Sequence, residues 1–534
     1  VTVNQVGYVP SAPKLATYKI IVEEGVTQDI NIARTWALKD SSDSTVTTGS
    51  TIVIGEDANS GDVIHEIDFS DVVTAGTGYV LEVTEGTAIV ASFPFDIATT
   101  LADQLQFDAL AYFYHNRSGI EIEEALVGAD HARAAGHVGG SIMVDVLDED
   151  DLVIGQEEVF YMDDHMVDTW ACRADKADDS SLVLDETLTG CRIGVDVSGG
   201  WYDAGDHGKY VVNGGVSVWT LLNQYERANL LGNNVATFGT DTMALPAAET
   251  ANTLPDLLDE VKYELDFFFK MQIPAGEDMA GMVYHKIHNL GWTGIPQLPS
   301  EDIKKRFIHP PTTAATLNVA ATGAQCFRVY SEFDQAYADE CLANAKTAYE
   351  AAKMYPTQYS GDPGSDEVVN NGSGGGMYPD QQVADDFYWA AMELYLATGE
   401  AMYMTDIVNS PIHNRFIIDE QYNDDDFAEP GSIFSWGQTN ALGLLSMVTA
   451  GEAFNADTTL LSDAKELVLT AADNFAWFAN NPGYSVAMNT TENLWGSNSF
   501  AVNNMIVLGL ASDITDNADS CYVDAFANSM TYLL

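Results

Sequence analysis

Asp203 and Asp206 stand three residues apart in Gly199-Gly200-Trp201-Tyr202-Asp203-Ala204-Gly205-Asp206-His207-Gly208-Lys209-Tyr210, a stretch too rich in glycine to hold a stable helix. On a tight turn both carboxylates can point at one spot. Three chemistries use such a pair: calcium ligation, metal-assisted phosphoryl transfer, and activation of a water molecule. No alternating series of oxygen ligands of the EF-hand kind follows, and Trp201, Tyr202 and Tyr210 add flat faces of the sort on which sugars stack. Lys209 and Tyr210 can orient the turn rather than meet a substrate.

The elements that must carry this turn change character along the chain. Up to residue 98 the sequence reads as short strands: KLATYKIIV, STIVIGED, VIHEIDF, GYVLEV and AIVASFPFDI, separated by Gly, Asp, Ser and Thr. That pattern predicts a β-sandwich over 1–98. From Leu101 the period becomes helical and stays so to Leu534. In NTLPDLLDEVKYELDFFFKMQ, Thr253 is the expected cap, Pro255 fits the first turn, and Leu254, Leu258, Val261, Leu265 and Phe268 form one apolar stripe. Similar helices are expected in FDQAYADECLANAKTAYEAAKMY, DDFYWAAMELYLATGE, TNALGLLSMVTAGEAF, LLSDAKELVLTAADNFAWFA and SFAVNNMIVLGLASDI. Helical hairpins joined by glycine- and aromatic-rich loops suggest an α/α toroid or a bundle over 99–534. In a toroid the loops gather at one open end, where a site would sit.

Length and charge narrow the partners. The 534 residues exceed one ordinary domain, and 46% apolar residues supply ample core. Eighty acidic residues face 22 basic ones, a formal net charge of −58. Such a surface repels nucleic acid and anionic lipid, and no apolar run is long enough to span a membrane. The acidic excess reads either as a solvated surface suited to saline water or as an attractor for a cationic substrate. The chain opens on VTVNQVGYVP, without a leader pattern, so it is read as never having had one or as a mature form. Of the five cysteines, Cys172 and Cys191 bracket an Asp- and Ser-rich segment that a disulfide could tie down outside the cytosol. Cys326 and Cys341 fall on neighbouring helices and read as buried thiols.

Landmarks along essentially the whole chain resemble glycoside hydrolase family 9, in the subgroup with an immunoglobulin-like domain ahead of an (α/α)6 barrel. VNQVGYVP resembles the start of the N-terminal domain. YFYHNRSG, GGWYDAGDHGKYVVNGG, LPDLLDEV, GMVYHKIH, HPPTTAATLN, ADDFYWAAMELYLATG, FSWG and LWGSNS resemble catalytic-domain landmarks in order. The resemblance implies inverting hydrolysis of β-1,4-glycosidic bonds; taken with the charge balance, the chain is read as a secreted, salt-tolerant endoglucanase acting on cellulose or mixed-linkage β-glucan. The alternatives are an exo-β-glucosaminidase on chitosan oligosaccharides and a carbohydrate-binding protein that has lost catalysis.

By the same resemblance Asp206 is the general base and Asp203 its partner in holding the water. The family's acid, a glutamate after a histidine-containing loop, is expected beyond Leu534 in a truncated chain; no glutamate present, Glu492 included, is given the role. Trp201, Tyr202, His288, Trp292, Tyr388, Trp436 and Trp495 fall in matching loops and are candidates for sugar subsites, each with packing between helices as the alternative. Asp380, Asp385 and Asp386 are candidate calcium ligands, against the alternative that Asp385 and Asp386 only cap the helix that follows. Zinc, held in some relatives by Cys and His, is doubtful, because Ser118 and Asp130-His131 stand in place of the cysteines. A monomer is expected.

Overall fold

A computed structural model describes residues 1–20, 30–57, 60–147, 153–164, 167–169, 192–193, 195–232, 235–289, 291–302, 304, 306–360, 375–415, 433–480, 483–488, 496–516 and 518–534, and over 139–147, 153–163, 167–169 and 192–193 the backbone alone. Contacts divide the chain into two units. One comprises Val1–Gln106, Asn414–Phe434 and Thr458–Leu534, the other Phe107–His413 and Ser435–Asp457.

In the first unit, strands Leu15–Ile20, Val63–Asp68 and Ile52–Glu56 form one antiparallel sheet. Thr45–Ser50, Thr35–Lys39, Gly76–Glu85 and Ala88–Ala91 form the other, with Phe95–Ile97 also paired to Gly76–Glu85. Alternation sends Ala16, Tyr18, Ile20, Trp36, Leu38, Leu81 and Val83 into one shared core, as a sandwich requires. Tyr8 joins that core edge-on to Phe69 and Phe95, at 5.0 and 5.2 Å. Strands Thr35–Lys39 and Thr45–Ser50 were not anticipated, and AIVASFPFDI divides into two strands. Helices Thr458–Asn480, Ser497–Ile514 and Ser520–Leu533 pack on one another in the same unit. They are joined to the sandwich by Gln5 N donating to Leu534 O at 3.1 Å and Tyr484 Oη donating to Asp62 Oδ2 at 2.7 Å. An apolar cavity of about 320 Å³ between them is lined by Val6, Tyr8, Leu105, Phe526, Met530 and Leu534, among others.

The second unit is built on helix Thr313–Tyr330, buried on nearly every side. Its sequence, TAATLNVAATGAQCFRVY, keeps side chains small so that neighbours approach closely. At Gly323 an added Cβ would come within 2.9 Å of the Cys341 carbonyl. Around it pack Val211–Leu231, Asp256–Lys270, Gln335–Met354 and Ala384–Thr398, with Asn440–Ala450 against Ala384–Thr398. Two expectations are corrected. Pro255, extended at φ −56° and ψ 136°, is itself the N-cap residue of Asp256–Lys270, so Thr253 does not cap it. Cys326 and Cys341, fully buried on packed helices with Cα atoms 6.1 Å apart, form a disulfide rather than standing as free thiols.

Among the described residues three sheets interrupt the region expected to be helical, one of them the pair Val283–Tyr284 and Pro311–Thr312. Val138–Leu147 and Val153–Asp163 form a hairpin. Short strands Arg192–Ile193, Val167–Thr169, Arg306–Ile308, Lys286–Asn289 and Lys209–Tyr210 form a sheet in that order, and it is this sheet that carries the aspartate turn. No helix among the described residues is long and apolar enough to cross a membrane.

Candidate active site

The turn is clamped from beneath by buried charge. Lys209 Nζ donates to the carbonyls of Val197 (2.5 Å) and Gly199 (2.8 Å) and pairs with Asp164 Oδ2 at 2.8 Å. Arg306 bridges the same Asp164 (2.9 Å) to the His207 carbonyl (2.5 Å). Burial favours the neutral acid at Asp164, but Arg306 and Lys209 outweigh it and hold the carboxyl well below the usual range. His207 is fixed by Asp302 Oδ2 at 2.8 Å. Asp203 N donates to Gly208 O at 3.1 Å across the turn. Gly200 has φ +74°, and any Cβ there would strike the Phe267 ring at 2.6 Å.

The two carboxylates are held differently. Asp206 Oδ2 accepts from Gly208 N (3.0 Å) and Tyr210 Oη (2.6 Å), and neither bond uses Oδ1. Asp203 Oδ1 accepts from Asn213 Nδ2 (2.5 Å) and Oδ2 from Tyr378 Oη (2.6 Å). Burial first, and then the neighbouring Asp206, push the Asp203 carboxyl up to about 6, against the two hydrogen bonds. Tyr378 was not anticipated as a site residue. Its ring lies edge-on to Tyr210 at 4.9 Å and to Trp436 at 5.4 Å, so it joins the turn to the FSWG loop.

The other aromatic candidates separate by burial. Trp201 is buried, with Nε1 donating to Glu260 at 2.8 Å and its ring 4.7 Å from Phe113. His288 is buried against His309, their Nε2 atoms 2.6 Å apart, and Tyr388 is buried with Oη 3.3 Å from His413 Nδ1. Tyr202 is buried but lines a cavity of about 450 Å³ together with His115, Arg133, Gly205, His207 and Glu301. Trp292 is 54% exposed and Trp436 half-buried. Trp495, Cys172 and Cys191 lie outside the described residues.

This geometry can be set beside known proteins. The sequence signature of glycosyl hydrolase family 9 matches residues 103–534, and that of the cellulase N-terminal ig-like domain matches residues 1–88. The chain belongs to glycosyl hydrolase family 9. It is 39% identical over 553 residues to a cellulose 1,4-beta-cellobiosidase of Acetivibrio thermocellus, covering 100% of this chain and 56% of that protein. It is 40% identical over 539 residues to endoglucanase C of Cellulomonas fimi, covering 100% of this chain and 42% of that one. The chain thus spans about half the length of these relatives. A metagenome-derived family 9 endoglucanase of known structure superimposes with a TM-score of 0.76 at 26% identity, over 99% of this chain and 82% of that one. The helical region has the (α/α)6 barrel fold of the family, behind an immunoglobulin-like domain.

Two metal expectations meet the family fold differently. Beside the turn, the imidazoles are His137 and His207, with rings 5.6 Å apart, while His131 is exposed. His137 Nδ1 is engaged by Tyr202 Oη (2.6 Å) and His207 Nδ1 by Asp302, and no cysteine accompanies them among the described residues. A zinc ion would use the Nε2 atoms of these rings, and that of His137 is buried without a hydrogen-bond partner, but no third ligand joins the two imidazoles among the described residues. Asp380, Asp385 and Asp386 are buried at the start of helix Ala384–Thr398. No three metal-ligating side chains converge on one point among the described residues. Yet Asp385 Oδ1 and Asp386 Oδ2 are buried oxygens without a hydrogen-bond partner, the donor chemistry a hard cation takes. Burial, followed by Asp380 and Asp385, raises the Asp386 carboxyl well above its ordinary range. Burial likewise brings Asp385 to about 6.

Proposed function

We propose that this chain carries the catalytic unit of a secreted, salt-tolerant endo-β-1,4-glucanase that hydrolyses cellulose or mixed-linkage β-glucan with inversion. The observation that carries the reading is the unequal holding of two adjacent carboxylates on one rigid turn. Asp206, fixed through Oδ2, takes a proton from water as the water oxygen attacks C1 of the sugar. Asp203, engaged at both oxygens, is its partner in holding the water. The acid that protonates the leaving oxygen is a separate group, since an inverting pair needs about 6.5–9.5 Å between acid and base. Asp203 lies on the same turn as Asp206 and is committed to Tyr378 and Asn213.

Trp436, next to Tyr378, and the exposed Trp292 are the aromatics free to offer a face to glucose; Trp201 serves packing. The alternative, a glucosaminidase on chitosan oligosaccharides, would use the acidic surface to attract a cationic sugar. Asp380, Asp385 and Asp386 would hold a calcium ion, which would supply charge neutralisation and tie the helix to Thr439.

The test is Asp206→Asn. Positioned acid–base groups contribute roughly 10²- to 10⁴-fold, so glucan hydrolysis should fall by at least about 10²-fold with binding and melting temperature nearly unchanged. A variant keeping more than about a tenth of wild-type turnover sinks the assignment. Glucan binding with no turnover in the wild type would favour the binding-protein alternative.

A further inference from the structure

The Tyr210 hydroxyl sits in a cage with no room for a side chain. A Cβ on Gly208 or on Gly375 would each come within 2.2 Å of that oxygen. The two glycines are far apart in sequence, so the close approach is built from both sides. Gly376 N donates to Tyr210 Oη at 2.8 Å. With that bond in place, the phenol proton is directed to Asp206 Oδ2 at 2.6 Å. Gly376 is itself held by Lys286, whose Nζ donates to the Gly376 carbonyl at 2.7 Å. Lys286 is fully buried and lies directly across the strand pair from Tyr210.

We propose that Lys286 is a positioning residue for Asp206, acting through Gly376 and Tyr210 to give the base a hydrogen bond of fixed direction and a buried positive charge. This rests on the reading of Asp206 as the base. The charged and titratable groups facing Asp206 are Asp203 on its own turn, Tyr210 and Lys286 on the paired strands, and Tyr378 beyond Gly376. Burial pushes the Lys286 amine down to about 7, partly offset by Asp206, so its charge is sustained chiefly by the carboxylate it serves.

Hydrolysis of β-cellobiosyl fluoride tests this in the full-length protein. The C1–F bond breaks with its electron pair leaving on fluoride, the water oxygen bonds to C1, and the water proton passes to Asp206. No acid is needed for the leaving group, so the base half of the reaction is read alone. Tyr210→Phe and Lys286→Met should each lower kcat about tenfold with KM within about twofold. Each should also move the acid limb of the kcat profile to higher pH, because the Asp203–Asp206 pair, titrating as a unit, loses a donor or a cation. A packing role alone leaves that limb in place. If Lys286→Met does not fold, Tyr210→Phe, which removes a single oxygen, decides. Wild-type kcat and an unmoved limb in folded Tyr210→Phe overturn the proposal. Asp206→Asn on the same substrate separates the two readings: if it stays active, the base assignment itself has failed.

Discussion

Tyr378 Oη reaches Asp203 Oδ2 at 2.6 Å across 175 residues of sequence, and that bond opposes the burial that drives Asp203 toward its neutral form. Asp203 at about 6 should set an acid limb, with kcat rising as pH increases through that value and the pair titrating as a unit. Tyr378→Phe removes a contribution that lowers this value, so the limb should move upward by about half a unit or more. Stability follows the opposite sign. The native state binds more protons than the unfolded chain between about 4 and about 6, so Asp203's contribution falls as pH rises through that window. A kcat profile on soluble glucan from acid to neutral pH checks the first, and melts at matched pH the second.

The tryptophans should separate into two classes. Trp292→Ala and Trp436→Ala should weaken glucan affinity several-fold with little change in melting temperature. Trp201→Ala should cost about 3–5 kcal/mol of stability, because it empties a packed site and leaves Arg117 as the side chain that still donates to Glu260 Oε1. Binding isotherms with a soluble β-glucan, paired with melts, read both. Equal affinity loss from Trp201→Ala in a fully folded protein would contradict the division.

Reduction of Cys326–Cys341 should destabilise the helical unit. The bridge closes a 15-residue separation, for which chain entropy corresponds to about 3 kcal/mol. The double variant Cys326→Ala/Cys341→Ala should melt several degrees lower, and reductant should lower the wild type but not the variant. An identical melt for wild type and variant counts against the bridge.

Calcium should raise the melting temperature after chelation, since a ligand held only by the native state stabilises it by about 2.7 kcal/mol at 100 times its Kd. The increment should shrink as pH falls, because the raised Asp385 and Asp386 carboxyls must release protons to bind the ion. Asp386→Asn should abolish it; a calcium increment of wild-type size in that variant would place the ion elsewhere.

Monovalent salt acts on the whole surface. With a net charge of −58, repulsion within the compact state should be screened as the Debye length falls from about 30 Å at 0.01 M to about 3 Å at 1 M. Melting temperature should rise by several degrees across that range, with sodium and potassium chloride nearly equivalent. A flat or falling series would remove salt adaptation as the meaning of the acidic excess.

What was legible in sequence was local. Asp203 and Asp206 share one turn, and their spacing with flanking glycines is visible in a dozen residues. The long helices were also legible, Gln335–Met354 and Thr458–Asn480 among them, because a sustained 3.6-residue period survives any tertiary context. Partners brought in from afar were not. Tyr378 and Gly376 come from a glycine-rich loop that carries no signal of where it lands. Trp201 carries the composition of a sugar platform, yet Glu260 and Glu264 on a distant helix draw it inward. The hairpin Val138–Leu147/Val153–Asp163 went unread although Ile142, Val144 and Val146 alternate, since glycine and aspartate surround them. Cys326 and Cys341 pair across two helices, a register that spacing alone does not specify.

The packing of helix Ser520–Leu533 onto the N-terminal sandwich has a consequence for biosynthesis. The sandwich core, Val3 to Ile97, is complete within the first hundred residues and can form as soon as they leave the ribosome. The segment that bears Val6 and Tyr8 meets Leu534, through Gln5 N, and faces Phe526 and Met530 across the shared cavity only after about 420 further residues have been made. At about 5–20 residues per second that is an interval of roughly 20–80 s. During it a folded nascent domain presents an uncovered apolar face, which is where a holdase would bind and where neighbouring chains on one polysome would first stick.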